Sequence, residues 1–274
     1  MTPLSHTRKP FLPNYDRKTY IRPTPKLPEK RVNAMTIAIA FQCKDGFVFA
    51  SDRQMSHGRA TDFGGFSHYE AKTFGIESES FSAVVCGSGN HGDLIRPFAE
   101  TVFANLGEAE NLSLEHTRTI MDATLGDLAH RNNAAPDASF LLAVVRGGEQ
   151  QFLRSDGLVI RTAGPVEILG IGDTSLVRYL TDSIYSPDLG SLYAVCFAAY
   201  AVYAAKKYCP QYCGGATDVH VLTGGGKESA GMYWTGWNVV KPDEVTALED
   251  LFARRAKEHL LGVIEEASDL LSRR

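Results

Sequence analysis

The sequence predicts an α+β protein built as a four-layer α-β-β-α sandwich, two antiparallel sheets flanked by helices. Three observations carry this. Alternation at period two and apolar stripes at period 3.6 occur in separate blocks, ordered strands, two helices, strands, two helices, strands, helix. Consecutive strand segments are joined by short polar turns, as in hairpins, and not by helices as in a parallel sheet. No short-period repeat and no boundary interrupts the pattern after residue 35, so residues 35–274 read as one domain.

The elements follow in order. "MTIAIAFQC" alternates larger and smaller side chains, and "GFVFASD" follows across "KDG", an Asp-Gly hairpin signal. Residues 53–69 are rich in Gly, Ser and His and read as a loop. "AKTFGIES" and "FSAVVCGSG" read as a second strand pair. In "NHGDLIRPFAETVFANL" the residues Leu94, Ile95, Phe98, Val102, Phe103 and Leu106 form one helical stripe. Pro97 comes early there, where a missing N–H costs little. A second helix, "NLSLEHTRTIMDATLGDLAHRNN", has Ser113 as its expected N-cap.

"ASFLLAVVR", "QQFLRS", "GLVIRT" and "VEILGIG" read as strands. "DTSLVRYLTDSIY" and "DLGSLYAVCFAAYAVYAAKKYC" read as helices, the latter apolar nearly all round at its centre and therefore buried. "TDVHVLT" and "SAGMYWT" make a last strand pair. A long helix beginning at "PDEVTALEDLF" closes the chain.

Composition bounds the function classes. Hydrophobic residues are 44% and charged residues 22%, as in ordinary globular proteins. The longest apolar runs fall short of the roughly 20 residues that cross a bilayer, and no N-terminal stretch resembles a signal peptide, so the expected location is the cytoplasm. The net charge of −4 hides an asymmetry. Residues 1–34 hold eight Lys or Arg against two acids and six of the twelve prolines. The rest holds 20 basic and 30 acidic residues. A basic, proline-rich segment buries too little to order itself, so residues 1–34 are expected to be an extended or disordered arm. The acidic body argues against a dedicated nucleic-acid protein. Cys43, Cys86, Cys196, Cys209 and Cys213 read as reduced thiols, and "CPQYC" lacks the second pair that a zinc site would want.

"TIAIAFQCKDGFVFASDRQ", then "AKTFGI", then "AVVCGSGNHGD" is similar to the opening of proteasome β-type subunits, which are N-terminal nucleophile hydrolases. "AAKKYCPQYCGGATDVHVL" resembles the family's later helix, Gly-Gly turn and strand. The resemblance spans roughly residues 35–240 and rests on an ordered series of individually weak motifs. It implies the same sandwich fold and a threonine-type amide hydrolase needing no metal or organic cofactor. In such an enzyme the first residue of the mature chain supplies both nucleophile and base. Its hydroxyl attacks a carbonyl carbon, and its own α-amine takes the proton. A model α-amine pKa of about 7.7–8.0 suits that task near neutrality.

Carried onto this chain, the resemblance makes Thr36 the nucleophile and Asp52, 16 residues on, the support of a lysine. Lys72 is that lysine, a few residues later than usual because the intervening loop is longer. Gly89 supplies an oxyanion N–H. Threonine is common in strands, so Thr36 acquires weight only from Asp52 and Lys72. Asp52 also reads as a strand-end cap, and Lys72 as a side chain reaching solvent.

Three positions depart from the family. Ile171 stands where a serine is usual between two glycines, and Pro210 and Cys213 stand where an aspartate and a serine precede the Gly-Gly. Activity is then weaker, differently supported or lost. The amine also exists only if residues 1–35 are removed, by self-cleavage at Met35–Thr36 or by translation from Met35 with methionine removal. The resemblance implies a peptide or unfolded-protein substrate, a homo-oligomer such as a ring, and an unfoldase partner. The alternatives are a catalytically inactive structural or interaction subunit that keeps its arm, and a small-amide hydrolase, since this fold does not fix substrate.

Overall fold

A computed structural model of the chain describes residues 36–56, 67–89, 92–109, 112–170, 188–224 and 236–255, with single positions at 178, 181–182, 185–186 and 258. Strands β1 (Ile37–Cys43) and β2 (Gly46–Asp52) form the first hairpin. Its turn residues are Lys44 and Asp45, and Cys43 pairs with Gly46. Asp-Gly is therefore not the central turn pair. Gly46 belongs to the strand, where a Cβ would stand 2.1 Å from the Leu222 carbonyl oxygen of the neighbouring strand.

Beyond β2 come the short β3 (Gln54–Ser56) and β4 (Ser67–Tyr69), then β5 (Thr73–Glu77) and β6 (Ser82–Gly89). β3 and β4 pair with each other, so the ends of the expected 53–69 loop form a two-stranded ribbon. Three residues are too few for alternation to reveal a strand. Lys72 ends up one residue before β5.

Helices α1 (Ile95–Glu108) and α2 (Leu114–Arg131) follow. The hydroxyl of Ser113 accepts from His116 N–H, the expected cap. Strands β7 (Ala138–Arg146), β8 (Glu149–Asp156), β9 (Val159–Thr162) and β10 (Val166–Gly170) come next. The expected helix over 173–185 lies largely outside the described residues. Helix α3 (Ser191–Tyr208), β11 (Thr217–Thr223), β12 (Gly236–Val239) and a helix α4 over 242–255 complete the set. The expected strand "SAGMYWT" lies outside the described residues, and β12 begins directly after it. The α3 N-terminus is capped from the β1–β2 turn, where Asp45 accepts from Ser191 N–H at 2.8 Å and from its hydroxyl at 2.7 Å.

Two five-stranded antiparallel sheets result, ordered β10-β1-β2-β11-β12 and β5-β6-β7-β8-β9. Period-two alternation sorts each strand between two cores. Ile37, Ile39, Phe41, Val48, Ala50, Val219 and Val221 face outward against the alanine-rich face of α3. Ala83, Val85, Phe140, Leu142 and Val144 face outward against α1 and α2, where Phe98 and Phe140 stack at 4.0 Å. Between the sheets, small Ala38 and Ala40 of β1 leave room for Phe47, Phe49 and Phe152. Each phenylalanine so buried contributes about 2 kcal/mol.

The two sheets are also keyed at their margins. Trp237 of β12 lies so close over Gly75 of β5 that a Cβ there would stand 2.1 Å from its Nε1. Arg154 of β8 donates to Glu167 of β10 at 2.7 Å, and Arg161 holds the same carboxylate. The centre of α3, residues 194–205, has no exposed side chain, as expected, and Leu192, Tyr193 and Tyr208 near its ends are exposed. Among the described residues, no helix is long and apolar enough to cross a membrane.

Candidate active site

Thr36 immediately precedes β1, and Ile37 pairs with Gly170 at the end of β10. The hairpin register brings the other end of β2 alongside. Asp52 Oδ1 accepts from the Thr36 hydroxyl at 2.7 Å and from Ile37 N–H at 3.0 Å. Lys72, from the segment leading into the second sheet, donates to Thr36 Oγ1 and, at 2.6 Å, to Asp52 Oδ1. The Gln54 carbonyl takes a further Lys72 proton. Gly214 N–H, in the turn after α3, donates to Asp52 Oδ2 at 2.9 Å.

Thr36 is 3% exposed, and Asp52 and Lys72 are fully enclosed. A buried carboxylate and ammonium persist together only when paired and hydrogen-bonded, and both conditions are met. Burial pushes the Lys72 ammonium below its ordinary range, and the Asp52 charge and hydrogen bond oppose that. Lys72 thus does not reach solvent, and Asp52 does more than end a strand. The structure brings together Thr36, Asp52 and Lys72.

Gly89 is the last residue of β6, paired with Ala138. A Cβ on it would lie 2.4 Å from Ala138 Cα and 2.5 Å from the Asp137 carbonyl oxygen. Packing therefore requires glycine at 89 independently of any part in chemistry. Ile171 lies outside the described residues. Pro210 sits on an exposed turn after α3. Cys213 is buried, and its thiol is pushed up in pKa by burial and then by the Asp52 charge. Cys86, raised to about 12 by burial, hydrogen-bonds Thr73 at 3.0 Å. Burial disfavours the thiolate, the nucleophilic form, at both positions. Among the described residues, no group of three or more acidic, His or Cys side chains is placed to hold a metal ion.

Four contributors escaped the sequence reading. The Gln54 carbonyl and Gly214 N–H are backbone groups, invisible to residue type, although the Gly-Gly turn marked the right place. Gly170 has φ of +74° and is pressed against the Thr36 carbonyl, whose oxygen would be 2.1 Å from a Cβ there. Ser88 faces the same spot from β6. The "GSG" and "GIG" segments carried these two, as small residues where backbones meet.

No family model matches the sequence, and no curated protein does either. Solved structures do match. Anbu from Yersinia bercovieri, described as an ancestral β-subunit, superposes with a TM-score of 0.65 at 15% identity, over 84% of this chain and 97% of that one. The chain has the fold of Anbu. Anbu from Hyphomicrobium sp. strain MC1 gives a TM-score of 0.62 at 12% identity, covering 82% and 97% of the two chains. Anbu from Pseudomonas aeruginosa, solved as a helical assembly of the Anbu complex, gives 0.55 at 18%, covering 82% and 95%. The likeness to Anbu is one of architecture and supports the proteasome-β-like sandwich expected from the sequence.

Proposed function

We propose that this chain is a proteasome-like threonine-type amide hydrolase in which Thr36 becomes the N-terminal nucleophile once residues 1–35 are removed. The observation that carries this reading is the enclosed cluster of Thr36 hydroxyl, Lys72 ammonium and Asp52 carboxylate. The Lys72 charge beside Oγ1 favours the alkoxide that attacks a substrate carbonyl. The freed Thr36 amine takes the proton. A tetrahedral intermediate forms, the amine of the substrate leaves, and an ester on Thr36 Oγ1 awaits water. Gly89 N–H is the proposed oxyanion donor.

Peptides or unfolded proteins are the proposed substrates, acting within a homo-oligomer in the cytoplasm. The assembled state of Pseudomonas aeruginosa Anbu supports the oligomer. An unfoldase would then feed the assembly. The test is intact mass and N-terminal sequencing of the protein purified from full-chain expression, followed by a peptidyl β-lactone. The expected product begins at Thr36 and carries the acyl group there, and Thr36→Ala abolishes both labelling and peptidase activity. Full retention of residues 1–35 in every molecule would overturn the mechanism.

A second reading, a catalytically silent interaction subunit, is favoured by one observation. Exposed Pro210 and buried Cys213 offer no carboxylate or hydroxyl beside the cluster. It predicts oligomers by light scattering but no lactone adduct.

A further inference from the structure

Ser88 is the last residue of β6 to point between the sheets, on the face that carries Val84 and Cys86. It is 2% exposed, and among the described residues its hydroxyl has no hydrogen-bond partner. Buried hydroxyls are nearly always paired, so an unpaired one needs a reason. This one lies near the Thr36 carbonyl, at the start of β1. Ser88 Oγ and the Thr36 carbonyl oxygen converge on the point where Gly170 lacks a side chain, at 2.6 Å and 2.1 Å from it. The Thr36 hydroxyl does not engage Ser88, because it already donates to Asp52 and accepts from Lys72. Ser88 is therefore an unused polar group of the second sheet, aimed at the start of the first.

We infer that Ser88 is a positioning residue that holds the water for hydrolysis of the acyl-enzyme, an inference resting on the Thr36 reading above. A water beside Thr36 has two protons to place. Ser88 Oγ accepts one, and the free Thr36 amine accepts the other. A lone pair on the water oxygen is then left facing the ester carbon. As that oxygen bonds to carbon, the second proton passes to the amine. The intermediate collapses with cleavage of the carbon–Oγ1 bond, Oγ1 recovers the proton, and the carboxylic acid leaves. No other reactant is needed. The unpaired hydroxyl thus supplies the support that Ile171, Pro210 and Cys213 do not offer as side-chain types.

The role predicts a split between the two halves of the reaction. Acylation needs Thr36, Lys72 and Asp52, whereas deacylation also needs the held water. The test uses protein purified from full-chain expression with a p-nitrophenyl ester of a short acyl group. Wild type should show a burst of p-nitrophenol followed by steady turnover. Ser88→Ala should keep the burst rate within about twofold and slow steady turnover by about tenfold, the worth of one lost hydrogen bond to the water. The acyl adduct on Thr36 should then accumulate in the intact mass. Ser88→Thr, which keeps a hydroxyl on the strand, should recover much of the turnover. Equal loss of burst and turnover, or no change in either, would overturn the role of Ser88. Absence of any Thr36 adduct in wild type would instead overturn the nucleophile reading on which it depends.

Discussion

Lys72→Met removes the buried cation while keeping most of the side-chain volume, so it isolates charge from packing. In the native protein Lys72 lies 2.6 Å from Asp52, with neither side chain exposed. Losing one partner of a buried pair costs about 3–5 kcal/mol, because the other charge is left uncompensated. Asp52 would still hold three donors: the Thr36 hydroxyl, Ile37 N–H and Gly214 N–H. The expected loss is therefore at the low end, about 3 kcal/mol. Urea denaturation followed by far-UV circular dichroism reads it as a lower midpoint at unchanged slope. Adding Asp52→Asn removes the stranded charge. The double variant should be about 1–2 kcal/mol more stable than the two single losses summed. A Lys72→Met variant within about 0.5 kcal/mol of wild type, as for an ordinary surface substitution, would refute the reasoning. Strict additivity in the double variant would refute it as well.

Two further outcomes are expected. Gly170→Ala puts a Cβ on a residue at φ +74° and 2.1 Å from the Thr36 carbonyl oxygen. Conformational strain and overlap together should cost about 2–4 kcal/mol, read as a lower thermal midpoint, with slower lactone labelling of a displaced Thr36. His220 is buried, accepts a hydrogen bond from Trp237 Nε1, and is lowered by burial from 6.5 to about 4. Its neutral form is the folded one, so the unfolded chain takes up a proton first as pH falls below 6.5. Stability should then drop by about 3 kcal/mol between pH 6.5 and 4. Denaturant midpoints at those two pH values should lose that difference in His220→Gln, and an unaltered pH dependence would count against the assignment.

Much of the architecture was legible because the cores are sorted by simple periods. Ile37, Ile39 and Phe41 alternate cleanly with alanines, and the α1 stripe from Leu94 to Leu106 is unbroken. Ser113 announced its helix through the one hydrogen bond a cap needs. The ribbon of β3 and β4 was illegible because each strand has three residues and is defined by its partner. The site divides in the same way. Thr36, Asp52 and Lys72 were legible through the resemblance to proteasome β-type subunits, whose motifs reside in side-chain types; only the 16-residue step from Thr36 to Asp52 follows the hairpin. Gln54 and Gly214 contribute only peptide groups, whose direction is set by turns that residue type does not encode. Ser88 looked like one small residue in "GSG" because its significance depends on Gly170, 82 positions away in the chain but in contact across the sheets.

The keyed margins of the two sheets bear on how the site is kept assembled. Thr36 and Asp52 belong to one sheet, whereas Lys72 enters from the other, so the cluster is a joint across two separately built slabs. The side chains interleaved between the sheets hold the slabs in register, and the margins add two directional contacts to them. Trp237 is seated on Gly75 at one border, and Arg154 grips Glu167 at the opposite one. The hydrogen bonds of the cluster therefore span the same interface as these contacts. Enlarging Gly75 or cutting the Arg154–Glu167 link would be felt at Thr36 without touching any residue of the cluster.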